Sequence, residues 1–251
     1  MVVKFKHQQI VKFYLTCLLA VAGLYSFILV GGTLLKFAAA YILFWFLNKI
    51  AKVGYHRWLS HKQIEPGTFG RVILLYCMVS TALVRPLHYV IGHRIHHKFS
   101  DSEIDPHPPS RGFFRTLIGD FQDIDRIPVS IKDIVKMKDV MFVDRHYYLL
   151  YFTNIFVWSL IDIELVLLSF ALMNLRFIIN VAIFNYLTHG GKNGTGPVNL
   201  PVWGFYLVGT PGEHLHKNHH DYPSRANFGT VSLWNFDLTY QILKRVTRVN
   251  E

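Results

Sequence analysis

The chain has 251 residues, of which 51% are hydrophobic and 17% are charged, and its formal net charge is +10. A mean hydropathy of +0.27 excludes a disordered chain and favours an integral membrane protein. Much of the basic charge flanks apolar segments, as on the cytoplasmic side of a membrane, so we expect membrane lipid and no nucleic acid as its partner. The length suits one domain, 1–251.

Two apolar segments near the start of the chain predict a membrane hairpin. The stretch 13–35 contains 23 residues without Asp, Glu, Lys or Arg, and a helix needs about 20 apolar residues to cross the hydrocarbon core. We place the two spans at about 11–31 and 33–53. Basic residues before the first span, with Lys49 and Lys52 at the end of the second, predict that both of these ends are cytoplasmic.

A shorter apolar segment and a second apolar hairpin complete the predicted membrane part. The segment 69–85 is too short to cross and predicts a re-entrant or amphipathic interfacial helix. Spans at 147–164 and 165–187 would form the second hairpin, with Asp162 and Glu164 in its outer turn. We therefore expect an all-α integral membrane fold with four transmembrane helices, the short helix, and a cytosolic helical cap formed by 86–145 and 189–251.

Histidines recur in clusters that this topology brings to the cytosolic edge of the membrane. His93, His96 and His97 share one face of a helix, because positions i, i+3 and i+4 do so. A solvated basic helix explains one such cluster, but the spacing recurs near the end of the chain. The predicted metal ligands are His56, His61, His93, His96, His97, His189, His216, His219 and His220.

Nine imidazoles exceed the four ligands of one zinc ion and suit two metal ions. The sequence contains no HExxH motif, which disfavours a zinc protease of that type. His56 and His61 are five residues apart, or about 140° on an α-helix, so we expect them to bind different ions. Redox metals at a membrane edge predict oxygen chemistry on a lipid-like substrate. A metal transporter is the alternative from another class, but transporters usually carry ionisable residues at the bilayer midplane.

The ordered set of motifs resembles the three histidine boxes of the membrane fatty acyl desaturases, in particular the Δ9 acyl-CoA and acyl-lipid branch. The matching segments are 56–61, 93–114, 185–190 and 212–220. The resemblance implies a di-iron centre that uses O2 and two electrons to remove two hydrogens from a saturated acyl chain. The product would be a cis double bond, with Δ9 as the expected position. A hydroxylase or alkane monooxygenase on the same scaffold is the nearest enzyme alternative.

The resemblance also implies a division of the ligands and a set of partners. One iron would be bound by His56, His97, His189, His216 and His220. The other would be bound by His61, His93, His96 and His219, with Asn185 holding a water near it. Electrons would come from a separate donor such as cytochrome b5 or ferredoxin, and the substrate would be an acyl-CoA or acyl-lipid. The enzyme would be a multi-pass membrane protein with its site on the cytoplasmic side.

Further residues are candidates for supporting roles. Asp105 and Glu213 are expected to accept hydrogen bonds from the outer nitrogens of ligand histidines, although each also suits a helix or turn cap. The candidate substrate contacts, whether with the acyl chain or with phosphates of its carrier, are Trp58, Arg94, Arg111 and Arg115. Packing, in the case of Trp58, and a basic cytosolic surface, in the case of the arginines, explain these four equally well.

Overall fold

The computed structural model describes residues 5–29, 33–81, 84–106, 108–118, 123–125, 127–194, 196–201, 212–229 and 235–251. These residues are mostly helical. The α-helices are α1 (Phe5–Leu29), α2 (Leu34–Lys52), α3 (Thr68–Ser80), α4 (Pro86–Phe99), α5 (Phe113–Ile118), α6 (Lys132–Val135), α7 (Lys138–Arg145), α8 (Tyr147–Thr188), α9 (His216–Asp221) and α10 (Leu238–Val246). A π-helical segment, Val53–Ser60, continues α2, and the strands β1 (Ile64–Glu65) and β2 (Arg248–Val249) pair antiparallel.

The first two helices pack beside each other across a short connection. The ring centroids of Phe27 in α1 and Phe37 in α2 are 6.1 Å apart. Thr33 begins α2 as its N-cap, where its side chain accepts a hydrogen bond from the backbone N–H of Lys36 at 3.2 Å. The end of the first predicted span, at 30–31, lies outside the described residues.

The segment α8 consists of two helical arms that form a hairpin and is not one straight helix. Its backbone leaves the helical conformation at Asp162, which has φ −154° and ψ 98°, and Asp162 accepts a hydrogen bond from the N–H of Leu165 as an N-cap does. The rings of Tyr151 and Phe170 lie 5.6 Å apart, whereas 19 residues of a straight helix would separate them by about 28 Å. The chain therefore reverses at Asp162.

The turn of α8 lies beside the start of α2. The Nζ atom of Lys36 is 2.5 Å from Oε2 of Glu164 and 3.2 Å from Oδ2 of Asp162. Helix α1 approaches α8 closely at Gly23, where an added Cβ would lie only 2.8 Å from the carbonyl oxygen of Leu167. The two hairpins are thus joined at one end by an ion cluster, while the histidines lie at the other end.

Among the residues that the structure describes, two helical stretches are long and apolar enough to cross a membrane, Leu34–Ser60 and Tyr147–Leu172. Only 12% and 28% of their apolar windows are buried, which is less than the core helix of a soluble protein would show. The second stretch contains the reversal at Asp162. Its first arm, Tyr147 to the reversal, is about 22 Å long, shorter than the ~30 Å hydrocarbon core. The expected set of four spans stays a prediction.

Short polar contacts position the elements that carry the histidines. Helix α4 begins with Pro86, and the N–H of Leu87 is capped by the buried carboxylate of Asp144 at 2.8 Å. At the far end of the chain, Asn250 donates its backbone N–H to the carbonyl of Gln63 at 2.9 Å and accepts from the N–H of Ala226 at 3.0 Å. The C-terminal residues therefore hold the chain after His61 against the loop after α9.

Candidate metal centre

Four parts of the chain bring the nine predicted ligands together. The π-helical segment and the residue that follows it carry His56 and His61, and α4 carries His93, His96 and His97. His189 ends α8, where its N–H bonds the carbonyl of Asn185. The remaining three lie on α9: His216, His219 and His220.

The nitrogen atoms form two adjoining groups, each with ligand atoms within 4.8 Å of one another. The first consists of His56, His61, His93, His97 and His219, and the second of His96, His189, His216 and His220. This grouping differs from the division that the resemblance implies at three residues, His56, His96 and His97.

The expectation that His56 and His61 point apart is wrong. It assumed α-helical geometry, but Val53–Ser60 is π-helical. In a π-helix the N–H of residue i+5 bonds the carbonyl of residue i, so residues five apart lie on the same face. The N–H of His61 bonds the carbonyl of His56 at 3.2 Å, and their ring centroids are 4.9 Å apart. The two imidazoles therefore belong to one group.

The facing nitrogens are spaced as ligands of a shared ion would be. Nε2 atoms are 2.9 Å apart in His56 and His219 and 2.7 Å apart in His61 and His93. In the second group Nε2 of His216 lies 3.1 Å from that of His189 and 3.0 Å from that of His220. Two nitrogens that bind one ion at about 2.1 Å lie about 3 Å apart when the bonds are at right angles.

The imidazoles are suited to bind a metal ion in their neutral form. Burial, and after it the neighbouring imidazoles, holds the pKa values of His93, His97 and His219 well below the usual value for histidine. Both ring nitrogens of His97 are buried without a hydrogen-bond partner among the described residues, as is Nδ1 of His216. Buried polar atoms are rarely left in this state, and a metal ion would satisfy the one nitrogen of His97 that belongs to the first group. The residues fit a metal site.

Three carboxylates face the outer nitrogens of the histidines. Nδ1 of His56 lies 3.0 Å from Glu213, Nδ1 of His96 lies 2.8 Å from Asp105, and Nδ1 of His189 lies 2.8 Å from Asp101. A proton on Nδ1 that is donated to a carboxylate leaves the lone pair of Nε2 for a metal.

The pKa of the buried Glu213 carboxyl is shifted in the direction that favours its charged form. Burial alone would raise its pKa, but His56, Lys52 and Arg57 together hold the pKa well below its usual range. The charged carboxylate, 3.0 Å from Nδ1 of His56, attracts a proton on that nitrogen and so favours the tautomer that leaves Nε2 free for a metal.

The other predicted residues lie around this centre with different surroundings. Asn185 is half-buried one helical turn before His189 in α8. Trp58 is buried in the core, with the guanidinium of Arg71 5.2 Å from its ring centroid. Arg111 ends a short 3-10 turn, and Arg115 is exposed on α5.

Arg94 is engaged within the protein. Its guanidinium donates to the carbonyls of Leu59 and Ser60 at 2.9 and 3.0 Å and makes two hydrogen bonds to Asp133 at 2.8 and 2.7 Å. It also donates to the carbonyl of Ser130 at 2.7 Å. These contacts join the π-helical segment to α6, while a contact with the substrate stays a prediction.

The sequence did not single out Arg57 or Asp237, two buried residues that interact with the site. Asp237 accepts from Nη2 of Arg57 at 2.9 Å and caps α10 through the N–H of Tyr240. The pair is separated by 180 residues, so no local pattern connects it. One indication of such a role was present in the sequence, which is that Arg57 is a basic residue next to His56 at the end of an apolar segment.

One open cavity reaches the centre from the surface. It has a volume of about 390 Å³ and is lined by His61, His97, Arg94 and Lys98 on one side and by the chain at 128–130 and Pro223 on the other. Lys98 spans its edge by donating to the carbonyl of Pro128 at 3.1 Å. The cavity therefore leads from the surface to the side chains of two candidate ligands, His61 and His97.

Several curated proteins are similar to this chain over most of its length. An sn-1 stearoyl-lipid 9-desaturase of Synechocystis sp. is 29% identical over 211 residues, which are 76% of this chain and 62% of that protein. An sn-1 stearoyl-lipid 9-desaturase of Anabaena variabilis is 24% identical over 242 residues, 90% of this chain and 86% of that protein. An acyl-CoA C20 Δ5-desaturase of Anemone leveillei is 25% identical over 204 residues, 76% of this chain and 64% of that protein.

These relatives confirm the resemblance drawn from the histidine motifs. No protein-family model matches the chain. The chain spans less than two thirds of the length of two of the three relatives named above.

Proposed function

We propose that this chain, a relative of the fatty acyl desaturases, is itself an O2-dependent fatty acyl desaturase. The observation that carries the proposal is the pair of adjoining histidine groups at one end of two apolar hairpins. The reaction would take a saturated acyl chain, O2, two electrons and two protons to a cis-unsaturated chain and two waters. Δ9 is the proposed position of the double bond.

The metals of the proposed centre are two iron ions. Imidazole binds both iron and zinc, but zinc has no redox chemistry and a desaturase must reduce O2. When bound, the irons would supply the activation of O2 that the removal of two hydrogens requires. All nine histidines are proposed as ligands, with Asn185 holding a water near one ion.

The surrounding residues of this chain hold the ligands in position. The carboxylates of Asp105 and Asp101 accept hydrogen bonds from Nδ1 of His96 and His189, and that of Glu213 lies 3.0 Å from Nδ1 of His56, so the corresponding Nε2 atoms would face the metals. Burial excludes bulk water from most of the centre, and it lowers the pKa of His93, His97 and His219 and so favours their neutral form.

The proposed substrate is an acyl chain on coenzyme A or on a lipid. The names of the relatives include acyl-lipid and acyl-CoA desaturases, and positions 9, 7 and 5. Trp58 would contact the acyl chain. The proposed contacts with the carrier are Arg94, Arg111 and Arg115. A separate electron donor, such as cytochrome b5 or ferredoxin, would reduce the centre.

We place the enzyme in a membrane as a multi-pass protein, with four spans and the histidines on the cytoplasmic side. Lys49 and Lys52 lie at the histidine end of α2, as the excess of basic residues in cytoplasmic segments requires. The acidic turn at Asp162 and Glu164 lies at the opposite end, paired with Lys36.

Expression in a desaturase-deficient cell, followed by fatty-acid profiling with location of the double bond, tests the proposal. We expect new cis-unsaturated acyl chains from the wild type and none from His97→Ala or His219→Ala, although both variants should still enter the membrane. His146→Ala is the matched control, because His146 caps α7 outside both groups and its loss should leave the product unchanged. Products that gain an oxygen would instead support a hydroxylase.

A further inference from the structure

A fully buried arginine lies directly behind the first histidine group. Arg57 has no exposed surface, and its guanidinium donates to three acceptors. Nη1 lies 2.6 Å from the carbonyl of Ala226, Nη2 lies 2.9 Å from Asp237, and Nε lies 3.3 Å from Oε1 of Glu213. The planar guanidinium therefore bridges the carboxylates of Glu213 and Asp237, a geometry that the single ammonium of lysine does not reproduce.

The second carboxylate connects Arg57 to a metal ligand. Oε1 of Glu213 faces Arg57, while Oε2 of the same side chain lies 3.0 Å from Nδ1 of His56. With its proton on Nδ1, toward the carboxylate of Glu213, His56 presents the lone pair of Nε2, which lies 2.9 Å from Nε2 of His219. The orientation of the His56 ring thus depends on a carboxylate whose other oxygen is held by Arg57.

The guanidinium also packs against Phe228, whose ring contacts His219, the imidazole that faces His56. It lies 4.1 Å from the centroid of the Phe228 ring, and that ring is 4.5 Å from the imidazole of His219. A guanidinium over an aromatic face is attracted to it. Phe228 is therefore fixed between Arg57 and His219, and the arginine supports both imidazoles of this facing pair.

We infer that Arg57 is a positioning residue of the metal centre, which holds Glu213 against His56 and Phe228 against His219 so that the two Nε2 atoms face one ion. The inference rests on the proposed metal centre. It extends that centre to a residue that touches neither metal nor substrate. Loss of a group that contacts a ligand directly typically weakens metal binding by about 10–100-fold, and Arg57 acts through such a group, Glu213.

A purely structural ion pair is the competing explanation, because a buried arginine between two carboxylates also joins segments of the fold. The two explanations differ in what a substitution changes. A structural pair affects unfolding alone, whereas a positioning residue that acts through Glu213 changes metal affinity and the ligand field. Its effect should also not add to that of Glu213→Gln.

The experiment titrates the detergent-purified, metal-free full chain with Co²⁺, whose visible spectrum reports its ligands, and with Fe²⁺ against a competing chelator under anaerobic conditions. The variants are Arg57→Met, Glu213→Gln, the double variant, and Arg57→Lys, which keeps the positive charge without the planar guanidinium. Arg71→Met is the matched control, since Arg71 pairs with Asp139 between α3 and α7 and neither residue belongs to a histidine group. Thermal unfolding of each metal-free variant is measured in parallel.

We expect Arg57→Met and Glu213→Gln each to weaken binding by about 10–100-fold with an altered Co²⁺ spectrum, and the double variant to be no weaker than the weaker single one. Arg57→Lys should fold and still bind weakly, so it decides the matter if Arg57→Met does not fold. Wild-type affinity and spectrum in Arg57→Lys or Arg57→Met, or multiplying effects in the double variant, would overturn the inference. A wild type that binds neither metal would instead overturn the proposed function.

Discussion

At the scale of single residues, the centre depends on which nitrogen of each imidazole carries the proton. His96 is held by the buried Asp105, whose Oδ2 lies 2.8 Å from Nδ1 of the ring and also accepts the backbone N–H of Asp101 at 3.0 Å. Asp101 has a φ of 60°, in the left-handed region that aspartate tolerates better than most residues. That turn directs the carboxylate of Asp101 to His189, so one short loop orients ligands from two helices.

Asp105→Asn should weaken metal binding without unfolding the protein. The amide is nearly the same size as the carboxylate, but it is a weaker acceptor for the Nδ1 proton of His96, and its NH2 group could force the other tautomer. We expect Fe²⁺ affinity to fall about 10–100-fold in chelator competition. Asp139→Asn, which removes a carboxylate paired with Arg71 and outside both histidine groups, should bind as the wild type does. Equal affinities in Asp105→Asn and Asp139→Asn would contradict the role of Asp105.

The sequence identified Asp105 and Glu213 by their places in the histidine motifs, but it indicated the partner histidine only where the contact is local. Asp105 follows His96 by nine residues, within one motif, and was named beforehand. The pair of Asp101 with His189 spans 88 residues, and the pair of Arg57 with Asp237 spans 180. Such contacts depend on how helices from distant parts of the chain pack, and spacing along the chain carries no information about them.

At the scale of elements, the end of α2 shows where periodicity fails. The apolar pattern predicted a helix to about residue 53, but a helical backbone continues to Ser60 with π-type hydrogen bonds. π-helical turns are rare and occur mostly at functional sites, so a rule based on 3.6 residues per turn misplaced His56 relative to His61. The sequence identified the candidate histidines, whereas the directions in which the side chains of His56 and His61 point depend on this π-helical geometry.

Asp133→Asn should loosen the junction between α6 and the histidine-bearing elements. Asp133 makes two hydrogen bonds to Arg94 and lies 3.0 Å from Nζ of Lys62. The side chain is partly exposed, so we expect a loss of about 1–2 kcal/mol in the free energy of unfolding, less than a fully buried charged contact would give. Thermal unfolding in detergent measures the loss. Glu65→Gln, at an exposed surface pair with Arg248, should change it little.

The pH dependence of that loss has a definite sign. The hydrogen bonds from Arg94, with Lys62 beside it, lower the pKa of Asp133 below its usual range. A carboxylate with a lowered folded pKa contributes stability above its unfolded pKa, about 3.9, and loses it as the pH falls toward the folded pKa. The difference between wild type and Asp133→Asn should therefore be constant from about pH 8 to pH 5.5. A difference that disappears by pH 6 would show that the carboxylate is not held as described.

At the scale of the whole molecule, charge separates the two ends of the helical hairpins. Asp162, Glu164 and Lys36 form an ion cluster at one end. At the other end Lys52 lies 3.9 Å from Glu213, beside the histidines. Apolar runs and the acidic interruption predicted this arrangement from the sequence. The contact between the two hairpins could not be predicted from the sequence, because it depends on close packing such as that of Gly23 against Leu167.

If the hairpins cross a membrane, their two ends must lie on opposite sides, and single cysteines test this. On a background with Cys17→Ser and Cys77→Ala, Ile163→Cys next to the reversal should react with a membrane-impermeant maleimide in intact cells, since this side chain is 57% exposed. Lys136→Cys, exposed between α6 and α7, should react only after the membrane is opened, because the histidine end carries the basic residues expected on the cytoplasmic side. Reaction of both positions in intact cells, or of neither until the membrane is opened, would contradict the two-hairpin topology.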